Sequence, residues 1–242
     1  MLQDALLVLT GLFLAGLLRG FTGFGLALAA VPLLALVLPP QQVVPVIITA
    51  TILSGWLELS RRWRDADWRN VLWLAAAMAA CTPIGFLALS LFKDNTVRLV
   101  IGLMVAGSVT ALWWGVRLPA NPSRPLTLAV GAVSGVMNGL AAMAGPPVVL
   151  YFLAQNRNTA VMRANLIAFF TFTGLAAMGP LLLSGLANRE TTIWTVIGLP
   201  GLLAGQYLGH MGFRRTQPRT HRQVALTVLA FLSLVLIARA LL

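Results

Sequence analysis

Between Gly20 and Pro32 the chain reads GFTGFGLALAAVP, with three glycines in six residues and apolar sequence on both sides. A glycine inside a helix costs roughly 1 kcal/mol relative to alanine. The stretch therefore weakens a hydrophobic segment where nothing polar requires a turn. It is not a nucleotide loop. The order is not GxGxxG, no GK[ST] follows it, and no strand pattern precedes it. Two readings are left: glycines that let membrane helices approach closely, or a helix deliberately broken inside the membrane.

The surrounding composition makes this a membrane question. Of 242 residues, 59% are hydrophobic and only 10% charged, where a soluble domain carries about 25% charged residues. The class is an all-α integral membrane protein. The opening MLQDALLVLTGLFLAGLLRG has no basic leader and carries Asp4, so it reads as a span rather than a cleaved signal. One cysteine, Cys81, excludes an internal disulfide. The two histidines, His210 and His221, share no ligand spacing, so neither a metal nor any other cofactor is expected. The net charge of +11 does not point to nucleic acid, because arginine-rich loops beside spans produce it more simply.

Ten apolar segments are legible: Leu2–Leu18, Phe21–Leu38, Val43–Leu59, Val71–Phe92, Val97–Val116, Leu126–Met143, Pro146–Ala154, Ala160–Leu186, Ile193–Phe213 and Val224–Leu242. A polar link, RLPANPSRP (117–125), separates them into a first repeat at 1–116 and a second at 126–242. GLLRGFTGFG (16–25) lines up with GVMNGLAAMAG (135–145), TATILSG (49–55) with AFFTFTG (168–174), and CTPIG (81–85) loosely with LPGLLAG (199–205). Placing RRWRDADWR (61–69) in the cytoplasm puts thirteen of the 17 basic residues inside, as the positive-inside rule requires. Only Lys93, Arg98, Arg189 and Arg239 then fall outside. The basic loop after the third segment is inside and its counterpart around Arg189 is outside, so the repeats are inverted and both termini face outward. Pro146–Ala154 is too short to span. The second and seventh segments are therefore either full spans or broken, re-entrant hairpins.

Broken helices meeting near the midplane suit a small anion. Backbone exposed at membrane depth must face protein or a water-filled cavity, and a helix start carries roughly half a positive charge on its unbonded amides. AAMAGPPVV (141–149), opposite the glycine stretch, restarts a helix with prolines where they are tolerated. The candidate substrate-binding residues are Arg19, Gly20, Thr22, Gly23, Gly25, Thr51, Asn138, Gly139, Gly145, Pro146, Asn165 and Thr171. Arg19 offers a bidentate fork, Asn138 stands opposite it, the glycines admit a ligand to the backbone, and the hydroxyls and Asn165 line a pathway. Gln206 and His210, one turn apart, read as interfacial. No carboxylate falls in mid-span and no acid–base pair or nucleophile is evident, so an enzyme is not expected. Loops of about ten residues at most speak against a scaffold protein.

The stretch GFTGFGxxxxxxP, the segment GVMNGLAAMAGPPVVLYFLAQ (135–155) and the spacing from Pro83 through Gly85 to Phe92 resemble the sulfite exporter TauE/SafE permease family across essentially the whole chain. The resemblance implies a permease for sulfite or an organosulfur anion such as sulfoacetate, working mostly outward across a bacterial inner membrane. Its partners would be that anion and the lipid bilayer. It fixes neither the anion nor the oligomeric state.

Overall fold

The computed structural model describes residues 2–22, 26–59, 66–115, 118–155, 159–213 and 218–241. Every regular element among them is a helix: α1 Leu2–Thr22, α2 Leu26–Ala35, α3 Pro40–Leu59, α4 Trp68–Leu91, α5 Asp94–Trp113, α6 Arg124–Ala141, α7 Gly145–Ala154, α8 Thr159–Leu183, α9 Arg189–Phe213 and α10 Pro218–Leu241. α4, α5 and the Ala164–Leu183 part of α8 are long and apolar enough to cross a membrane. Their outward faces are apolar to an extent that water would not tolerate. Leu183 is 91% exposed and Leu91 71% exposed, as in a protein solvated by lipid.

The sequence left the second and seventh segments open, and the helices decide their length. α2 and α7 hold 10 residues each, about 15 Å of helix against a hydrocarbon core of about 30 Å. Neither can cross as a helix. Phe21–Leu38 is thus not one span. α1 runs on to Thr22, α2 covers only Leu26–Ala35, and the chain turns at 36–38. Hydropathy could not show this, because the broken and unbroken parts are equally apolar. Prolines fall inside α4 (Pro83) and α9 (Pro200), and both helices continue through them.

The chain divides into two compact units, and neither is a contiguous half. The first contains α1, α2, the start of α3, α5, α9 and α10. In it α1 lies parallel to α9 with backbones nearly touching. A Cβ added to Gly16 would strike the Leu202 carbonyl, and one added to Gly20 the Gln206 carbonyl and, at 2.9 Å, the His210 amide. From the other side, Gly205 backs onto Phe13 and Leu17. α5 packs on α10, where a Cβ added to Gly102 would lie 2.6 Å from the Ile237 side chain. α2 touches α1, α5 and α10 and is buried on nearly every side. That suits a helix with no polar face.

The second unit contains the rest of α3 with α4, α6, α7 and α8. Here α6 lies along α4 in the same manner. A Cβ added to Gly131 would lie 2.6 Å from the Leu74 carbonyl, one added to Gly135 would strike that of Met78, and one added to Gly139 that of Thr82, with the Phe86 amide at 2.7 Å. Gly85 returns the contact against Val136 and the Leu140 amide. In each unit, a G-x-x-x-G pair (Gly16 and Gly20, or Gly135 and Gly139) brings two helix backbones together, a packing mode that membranes favour. The register of the partners also repeats. Leu202 and Gln206 meet the first glycine pair as Met78 and Thr82 meet the second. That register pairs Thr82 with Gln206 and so sets Pro83 about two helical turns from Pro200 instead of opposite it, as the loose match of CTPIG with LPGLLAG had it.

Candidate functional site

The best-described candidate site lies where α6 ends and α7 begins. α6 starts under a Ser123 cap, with Pro125 in its first turn. It stops because Ala142 takes a left-handed conformation (φ 53°). The Ala142 N–H then donates to the Asn138 carbonyl at 2.7 Å, and the Met143 N–H to the Met137 carbonyl at 3.2 Å. This satisfies helix-end carbonyls, the first bond in the manner of an αL cap. Alanine holds that conformation at a cost of roughly 1–2 kcal/mol. Two residues on, α7 begins at Gly145 with no side chain capping it.

The chemistry of that start is narrower than a helix terminus in general. Four amides are normally unbonded at a helix start, but Pro146 and Pro147 have none. Ala144 and Gly145 are left as the donors, together with the positive end of the α7 dipole. Pro146 is buried and offers an anion only ring contact. Gly145 is half-buried, and a Cβ there would meet just the Phe170 ring at 3.4 Å. No neighbouring backbone demands glycine at this position, in contrast to Gly139.

The other sequence-nominated residues of this unit fall into two groups. Asn138 is 3% exposed; its amide donates to the Thr173 carbonyl at 3.2 Å and lies 3.9 Å from the Met78 sulfur. Gly139, the next residue, is held against α4. Thr171 is buried, and its hydroxyl donates to the Ile167 carbonyl one turn back at 2.9 Å, which is the common fate of a membrane threonine. Asn165 is set apart: its side-chain oxygen accepts from the Asp67 amide at 2.7 Å. It fixes the entry into α4, where Asp67 in turn accepts from Asn70 at 2.9 Å. Thr51 is half-buried on α3.

In the first unit Arg19 and Gly20 are both half-buried near the end of α1, and Gly20 is in contact with α9 beside Gln206 and His210. Gly23 and Gly25 lie outside the described residues, as does the side chain of Thr22.

Two features escaped the sequence reading. Tyr151 on α7 is fully buried; its hydroxyl pairs with that of Thr127 on α6 at 2.8 Å and reaches Asn70 on α4 at 3.5 Å. A tyrosine in GPPVVLYFLA was the available signal. Arg98 on α5 sends its Nε–H to the Ala35 carbonyl at the end of α2 at 2.8 Å and lies 3.5 Å from that of Leu38 in the turn that follows. Its position only marked it as an outside charge, and carbonyl acceptors leave no trace in a sequence. Among the described residues no group of three or more histidine, cysteine or acidic side chains is placed to hold a metal.

A family model described as Sulfite exporter TauE/SafE matches residues 7–236. No curated protein and no solved structure matches the chain.

Proposed function

The chain belongs to the sulfite exporter TauE/SafE family, and we propose that it moves a small sulfur-containing anion, sulfite first among them, out of the cell. The family makes it a membrane transporter of small anions rather than an enzyme. The observation that carries the proposal is the pair of ten-residue helices, α2 and α7, with α7 starting directly after α6 ends in the left-handed turn at Ala142. A bilayer tolerates such ends only where backbone faces protein or a wet cavity, and transporters use them to hold ions near the midplane.

In this reading the chain is an inverted repeat of five segments. Helix lengths of 21, 10, 20, 24 and 20 residues are followed by 18, 10, 25, 25 and 24. The repeated α1-on-α9 and α6-on-α4 packing supports it, and so does the charge asymmetry of the loops. The membrane is a bacterial inner membrane, with both termini outside. Arg19, Thr22, Gly23 and Gly25 contact the anion from the first half. Asn138, Gly145, Pro146 and Thr171 do so from the second, with Thr51 along the route. Gly20, Gly139 and Asn165 act through packing and capping. With the cell interior negative, each negative charge leaving gains about 2.3 kcal/mol per 100 mV. An alternating-access exporter then needs no coupled ion.

The test is anion flux in proteoliposomes loaded with sulfite, sulfate or a small organosulfonate, comparing the wild type with Arg19→Ala and Gly145→Leu. Sulfite flux lost in both variants is the expected result. Flux of sulfonate alone moves the substrate and keeps the mechanism. No flux for any anion from folded protein refutes the transport reading.

A further inference from the structure

α2 is a short helix with a specific anchoring problem. Ten residues form few internal hydrogen bonds, and Pro32 removes one more donor within them. Its last carbonyls have no continuing helix to bond them, because the chain turns at 36–38. Leu34 is the exception, accepting from the Val37 amide at 3.0 Å and the Leu38 amide at 2.8 Å.

Arg98 takes the last of them, at Ala35. It stands in the second turn of α5, within a helix apolar enough to span, where an arginine is costly unless it has a task. Its guanidinium is held in place by Asn95, whose side-chain oxygen accepts from NH1 at 3.0 Å. The Nε–H then meets the Ala35 carbonyl at 2.8 Å, and NH2 points to Leu38 at 3.5 Å. A fixed positive charge thus sits on the negative end of the α2 dipole. The same corner is closed from α3, where the Gln41 amide reaches the Phe92 carbonyl at 3.5 Å. All of these residues belong to the first unit.

We propose that Arg98 is a positioning residue of the transport cycle: it clamps the C-terminal end of α2 so that the start of α2 is presented in one register. This rests on the reading of α2 as a half-helix that serves the anion. A planar fork suits the task better than an ammonium, since it grips two carbonyls and Asn95 at once. The clamp acts on α2 alone. α1, on its other side, is held independently by its glycine contacts with α9.

The experiment is hydrogen exchange on the full chain in nanodiscs, read by mass spectrometry, together with sulfite flux in proteoliposomes. In Arg98→Gln, exchange over residues 26–38 rises about tenfold while α1 and α9 keep their protection, as loss of a charge-assisted bond predicts. Maximal flux falls by a similar factor at unchanged half-saturating sulfite. Arg98→Lys restores part of both, because it keeps the charge and loses the fork. If Arg98→Gln does not fold, Asn95→Ala shows the same pattern at smaller amplitude. Unchanged exchange over 26–38, or a rise spread evenly over all helices, overturns the proposal. A wild type without flux for any anion refutes the transport reading instead, and the exchange measurement still decides whether Arg98 holds α2.

Discussion

Replacing Gly139 with alanine adds one methyl group at a place where the structure has no room for it. The new Cβ would lie inside contact distance of the Thr82 carbonyl, 2.7 Å from the Phe86 amide and 2.9 Å from the Cα of Gly85. All three are backbone atoms of α4, so no side chain can swing aside. Restoring ordinary contact requires α4 and α6 to separate by about 1 Å, and a gap of that size forfeits a quarter to a half of the attraction between facing atoms. Overpacking of this kind costs about 1–3 kcal/mol, and the backbone nature of the clash puts the expected loss near 3. For a chain of this size that is a fall of about 6–12 °C in the melting temperature. The assay is thermal unfolding in detergent, with Gly107→Ala as the companion, since a Cβ at Gly107 meets nothing within 4 Å. Gly107→Ala is expected to leave the melting temperature unchanged or slightly higher. Equal behaviour of the two variants would refute the packing argument. So would a Gly139→Ala protein with full stability and lost flux, which would return Gly139 to direct contact with the anion.

Ala142→Gly should raise the melting temperature, because glycine takes the left-handed conformation without the roughly 1 kcal/mol that alanine bears. A fall in that measurement would show that the Ala142 methyl group has a partner of its own. Tyr151→Phe removes the hydroxyl shared with Thr127 and should destabilise by about 1 kcal/mol; urea or thermal titration of the two proteins side by side checks it. Asn165→Ala leaves the Asp67 amide without its acceptor and should cost about 1–3 kcal/mol, with hydrogen exchange rising first at the start of α4. Gly145→Ala should fold normally, since only the Phe170 ring is near, and any loss of flux at unchanged stability would then belong to the anion site.

Much of this fold is written in hydropathy, and the parts that are not share one cause. Nine of the ten segments fall within a few residues of an observed helix, because a helix among lipid needs an apolar surface along its length. The end of α2 at Ala35 is not legible in the run Phe21–Leu38, since what stops it is a backbone turn among residues as apolar as their neighbours. The glycine pairs were visible, yet which helix each one meets was not. Gly16 and Gly20 find α9 almost two hundred residues away, and local sequence does not encode that partner. Asn165 was legible as a polar residue needing a reason, but its reason is a single backbone amide at Asp67. Arg98 was read only as an outside charge, because its acceptors are carbonyls. In a membrane helix, side chains announce themselves by polarity, while the backbone groups that use them are silent.

The interleaving of the two units has a consequence for synthesis. The second unit draws only on residues up to Gly185 and can assemble as soon as α8 has entered the membrane. The first cannot. α1 leaves the ribosome long before its packing partner α9, which begins only at Arg189. At roughly 5–20 residues per second, α1 waits on the order of ten to thirty seconds beside lipid or an insertion factor, with the bare ridge of Gly16 and Gly20 uncovered. A nascent chain stopped before Arg189 should therefore hold α4 against α6 while leaving α1 accessible to crosslinking by the insertion machinery, and release of that crosslink should coincide with the emergence of α9.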